Sequence, residues 1–108
     1  MARGGFGNMQ QLMAQAQRMQ AQMAQKQQEL AQTELTAHSG GGMVSATVNG
    51  KHQLVKLEID PQAVDPDDVE MLEDMVMAAV NEAMRMTDEL AEREMGNLAG
   101  GMNLPGMR

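Results

Sequence analysis

The sequence predicts an α+β fold: a long N-terminal helix, a three-stranded antiparallel meander, a long second helix and a disordered Gly/Met tail. Three observations carry this reading. Residues 43–48 and 54–59 alternate apolar with polar side chains on either side of Asn49-Gly50, the preferred pair for a type I′ hairpin turn. Upstream of Thr33, and again downstream of Pro66, apolar residues recur at steps of three and four, the period of a helix with one buried stripe. Finally, residues 96–108 are mostly Gly, Met and Asn with a late Pro105, a composition that cannot support a packed element.

Taken in order, residues 1–7 form a Gly-rich, flexible leader, and a single domain spans 8–95. Asn8 suits the cap of the first helix, which then carries Met9, Leu12, Ala16, Met19, Met23 and Leu30 along a narrow heptad seam. Lys26 stands where that seam calls for an apolar residue, and the remaining positions are mostly Gln. A helix over 8–32 is about 37 Å long, more than a small sheet can cover. The first strand is expected over 33–38, and Ser39-Gly40-Gly41-Gly42 turns the chain into the hairpin. Val44, Ala46 and Val48 share one face of the second strand, and Val55, Leu57 and Ile59 one face of the third. Asp65 suits the cap of the second helix and Pro66 its first position. Its seam is Val69, Leu72, Val76, Ala79, Ala83, Met86 and Leu90.

The chain has 108 residues, a single aromatic (Phe6), 14 Met, no Cys and a formal net charge of −7. One small domain with such long helices predicts oligomerisation. The missing cysteines exclude disulfides and thiolate metal sites. No signal-peptide core and no apolar run of membrane-spanning length is present, so the expectation is a soluble, cytoplasmic protein.

Little points to catalysis. The acidic cluster Asp65, Asp67, Asp68, Glu70, Glu73 and Asp74 lacks the loop Gly and terminal Glu of a calcium loop and suits the positive end of a helix. His38 and His52 are not ligand-spaced, and a metal needs more donors than these two. The Met residues could bind a soft ion such as Cu(I), but their seam spacing already explains them as packing. Gly40-Gly41-Gly42 has no Lys-Ser/Thr after it and reads as a turn. No Ser or Thr has a base and an orienting partner in view. Enzyme, cofactor and metal are therefore not expected. Aromatic platforms for single strands are also missing, so any nucleic acid bound should be duplex, held through phosphates by basic residues repeated by symmetry.

With these elements in place, the chain resembles the YbaB/EbfC family of bacterial nucleoid-associated DNA-binding proteins. The likeness is carried by Gly41-Gly42-Met43-Val44, Val48-Asn49-Gly50, Val55-Lys56-Leu57-Glu58-Ile59-Asp60-Pro61, Asp65-Pro66-Asp67-Asp68-Val69 and Ala78-Ala79-Val80-Asn81-Glu82-Ala83. It implies a homodimer whose helices project from a sheet body as arms and hold double-stranded DNA in the nucleoid, for DNA organisation or control of expression. On such arms the candidate DNA-binding residues are Arg18, Lys26, Arg85 and Arg93. Relatives often carry several Lys on the first helix, where this chain has mostly Gln. The alternative is a non-catalytic adaptor that docks a partner protein through its Met-rich helical seams.

Overall fold

The computed structural model describes residues 2–100. Its elements are α1 (Ala2–Gln32), β1 (Glu34–Ser39), β2 (Val44–Asn49), β3 (Leu54–Ile59) and α2 (Val69–Gly100). The three strands form one antiparallel meander with β2 in the centre. This is the α+β order expected, drawn out to 82 Å by a helix that leaves the body.

Helix α2 lies across β1 and β2. Val44, Ala46 and Val48 on β2 have no exposed surface, and neither have Ala79 and Ala83 on α2. Val44, Ala46 and Ala79 gather Leu72, Met75, Val76 and Val80, while Ala37, Val48 and Ala83 gather Met84 and Met86. The two alanines let the helix backbone approach the sheet closely, and flexible Met side chains fill the margins. The Thr87 hydroxyl, buried beside this core, donates to the Ala83 carbonyl, so it leaves no orphaned donor.

Several local details depart from expectation. The hairpin does not close with a type I′ turn. Asn49 N–H donates to the Gln53 carbonyl and His52 N–H to the Asn49 carbonyl, with His52 in the left-handed region at φ 61°. The loop is therefore three residues long and ends on a left-handed residue, the next most common hairpin connection. Asn49 Oδ1 accepts from the N–H groups of Lys51 and Gln53 and stabilises that loop. Gly50 is needed for space rather than for its dihedral: a Cβ there would collide with the Leu30 carbonyl and Ala31 of α1. The hairpin tip is the seat of the first helix.

A bulge shifts β3 so that Leu54, rather than Val55, lies opposite Val48, with Leu57 opposite Ala46 and Ile59 opposite Val44. In α2 the cap is Asp68, whose Oδ1 accepts from Met71 N–H at 3.2 Å. Asp65 instead closes the preceding turn, accepting from Asp67 N–H at 3.0 Å, so Pro66 precedes the helix by three residues. A carboxylate two residues before a backbone N–H turns the chain as readily as it caps it. Helix α1 begins at Ala2, ahead of the Asn8 expected as its cap, because the intervening glycines weaken a helical ladder without blocking it. It ends where Thr33 donates through both N–H and Oγ1 to the Glu29 carbonyl. Helix α2 continues through Gly96 to Gly100; the rest of the expected tail, residues 101–108, lies outside the described residues.

Candidate nucleic-acid interface

Helix α1 meets its own chain only through its C-terminal third. Leu30 and Ala31 sit on Gly50, and Lys26 Nζ reaches Glu94 on α2 at 3.2 Å and Glu29 at 3.7 Å. Gln22, Gln25, Lys26 and Glu29 line a cleft with Leu98 of α2. Lys26 opposite Glu94, and Gln22 beside Leu98, make the two helices antiparallel here. The anomaly of a Lys in an apolar seam is thereby explained: its stem lies in the interhelical cleft and its ammonium pairs across it. Residues 7–18 of α1 are exposed throughout, Met9, Leu12 and Met13 each by more than 60%.

The four candidate cations fall into two classes. Arg85 is engaged on both sides, donating to Glu82 at 2.6 Å and 3.0 Å and to Glu89 at 2.5 Å. These contacts raise its pKa above the ordinary guanidinium value, and its hydrogen bond holds the Glu82 carboxyl below the usual carboxylate range. Lys26 is held by Glu94 and Glu29, as above. Arg18 and Arg93 are exposed and form no ion pair among the described residues. The four do not form one patch in a single chain. Arg93 is adjacent to Glu94 at the α1–α2 cleft, Arg18 lies eight residues farther out along α1, about 12 Å, and Arg85 is nine residues closer to the sheet. The Glu82–Arg85–Glu89 set was readable from helical spacing; Glu94 as the partner of Lys26 was not, because no local pattern pairs distant helices.

Charge is divided unevenly along the molecule. Residues 1–28 contain Arg3, Arg18 and Lys26 and no carboxylate, whereas all 15 Asp and Glu occur from Glu29 onward against Lys51, Lys56, Arg85, Arg93 and Arg108. The carboxylate-free part of the projecting helix is thus a stretch of an acidic chain that a polyanion can approach without meeting its own kind of charge.

The two histidines serve the fold or stand apart. His52 Nε2 pairs with Asp88 Oδ1 and ties the hairpin tip to α2. His38 lies in a polar cross-strand row with Ser45 and Glu58, on the sheet face where Thr36 and Thr47 hydroxyls share a 2.7 Å hydrogen bond. Serine occupies the middle of that row, whereas an activated nucleophile needs the imidazole between hydroxyl and carboxylate. No described helix is long and apolar enough to cross a membrane.

The opposite sheet face is unevenly covered. Leu54, Leu57 and Ile59 on β3 are 46%, 40% and 37% exposed, while their register partners Val48, Ala46 and Val44 are fully buried. Helix α2 covers only two of the three strands.

Comparison with known proteins agrees with this architecture. A nucleoid-associated protein of Alkaliphilus metalliredigens is 49% identical over 104 residues, spanning 96% of this chain and 91% of that one. A nucleoid-associated protein of Clostridium acetobutylicum is 49% identical over 112 residues, covering 99% of this chain and all of its own length. The crystal structure of an uncharacterised protein from Helicobacter pylori superposes with a TM-score of 0.69 at 30% identity, covering 82% of this chain and 92% of that one. The model of the YbaB/EbfC DNA-binding family matches residues 5–102, and the chain belongs to that family.

Proposed function

We propose that this chain is a nucleoid-associated protein that binds duplex DNA as a homodimer, without catalysis, metal or cofactor, in the cytoplasm of its cell. The observation that carries this reading is the charge division: a projecting helix free of carboxylates through residue 28, on a chain of net charge −7. Family membership supports DNA as the ligand. The names of the two relatives support the nucleoid as the location, and DNA organisation or expression control is the role proposed there. Arg18 and Arg93 supply phosphate contacts, Lys26 joins them on release from Glu94, and Arg85 contributes least because two carboxylates already neutralise it.

The homodimer reading is supported by the apolar strip of Leu54, Leu57 and Ile59, which continues a buried face past the edge of α2. A second copy covers it and doubles every arm cation. The test is fluorescence anisotropy of a labelled duplex across a salt series, with sedimentation of the free protein. Saturable binding by a dimer, weakening by about 0.9 log units per phosphate contact for each log unit of salt, is expected.

A protein-docking adaptor is the second reading, and the exposure of Met9, Leu12 and Met13 favours it. Docking through that seam would be nearly insensitive to salt, which separates the two.

A further inference from the structure

We propose that the projecting half of α1 enters the DNA major groove and selects A·T pairs, with Gln11 and Gln15 on adenine and Leu12 on a thymine methyl group. The inference rests on the duplex-binding reading above and specifies how that helix recognises its ligand. Ten of the 31 residues of α1 are Gln, yet on a surface helix of a soluble protein Lys and Glu would serve solubility better. At 3.6 residues per turn Gln11, Gln15 and Arg18 form one stripe, and Leu12 borders it. All four are exposed and have no partner among the described residues. A glutamine amide offers one acceptor and a donor group side by side, the complement of adenine N6–H and N7. Guanine shows two acceptors there and meets only half of that pattern.

The apolar exposure is the second, independent observation. Leu12, 63% exposed, stands beside the Gln stripe, and an A·T pair is the one that presents a methyl group in the same groove. A helix about 10–12 Å across fits a major groove about 12 Å wide and not a minor groove about 6 Å wide. Arg18, one turn from Gln15, is placed for a phosphate at the groove wall. No carboxylate occurs in this part of α1, and Lys26 neutralises Glu94 where α2 comes alongside.

The experiment compares A·T-rich and G·C-rich duplexes of equal length by anisotropy, with the full chain and with Gln11→Ala/Gln15→Ala. Alanine keeps the helix, so the double variant retains its fold. The full chain should bind the A·T duplex about tenfold more tightly, the discrimination of one good base contact. Replacing adenine by 7-deazaadenine should remove most of that preference. The double variant should bind both duplexes alike, with salt slope and sedimentation unchanged. Equal affinity of the full chain for both duplexes, or a preference that survives the double substitution or the 7-deaza base, overturns the inference while leaving duplex binding standing. Binding to neither duplex overturns both.

Discussion

Helices α1 and α2 are nearly equal in length, 31 and 32 residues, and both carry apolar residues at steps of three and four. Their fates differ completely. In α2 the seam holds Ala79 and Ala83, small enough to let the helix lie on β2 with no exposed surface at either position. In α1 the seam holds Met9 and Leu12, which stay in solvent, whereas Lys26, Leu30 and Ala31 toward its C-terminal end find neighbours. Charge divides them too: α2 is rich in carboxylates, whereas α1 has Glu29 alone, at its anchored end. Periodicity therefore identifies a helix with a sticky face without saying what the face meets. Residue size at the contact and the sign of the surrounding charge decide that.

The comparison can be broken at several points, in descending order of effect. Ala83→Leu forces a large side chain between α2 and the sheet and should cost about 3 kcal/mol in urea unfolding. A loss below about 1 kcal/mol would mean that the helix–sheet contact is loose. Gly50→Ala pushes a Cβ against the Leu30 carbonyl and should cost about 2 kcal/mol. The damage should concentrate in α1, seen as faster amide exchange near Leu30 with α2 little changed. Leu57→Asp places a carboxylate on the apolar strip of β3 and should raise the Kd of the proposed homodimer at least about tenfold in sedimentation. An unchanged Kd would move the dimer interface away from β3. The smallest effect belongs to Glu94→Gln, which frees Lys26. A half-exposed ion pair is worth about 0.5 kcal/mol, so duplex affinity should rise about twofold, and the gain should vanish in a Lys26→Gln background. A gain that persists there would show simple relief of repulsion rather than a competing phosphate.

Much of the fold could be read from local chemistry. Alternation found the strands, helical spacing found both helices, and an Asp-rich start located the beginning of α2 to within three residues. What escaped was everything set by contact between distant parts. The dihedral preference of Asn49-Gly50 suggests a positive φ at Gly50, but that glycine answers to the backbone of α1 at Leu30, twenty residues earlier in the chain. Strict alternation puts Val55 on the face of Leu57 and Ile59 because it takes no account of a bulge. Among the candidate cations, position and charge alone put Arg18, Lys26, Arg85 and Arg93 on an equal footing. The ion pairs of Lys26 and Arg85 separate them from Arg18 and Arg93; the Arg85 pairs and Lys26–Glu29 follow i, i+3 and i, i+4 spacing, whereas Lys26–Glu94 has no local pattern.

The most direct test of α1 as the DNA-facing element is the salt dependence of duplex binding for Arg18→Gln set beside Arg85→Gln. In a dimer, loss of the Arg18 contact from both copies should lower the log–log slope by about 1.8, while Arg85→Gln should leave the slope nearly unchanged. An unchanged slope for Arg18→Gln, or a loss confined to Arg85→Gln, would place the DNA on α2 and contradict the account.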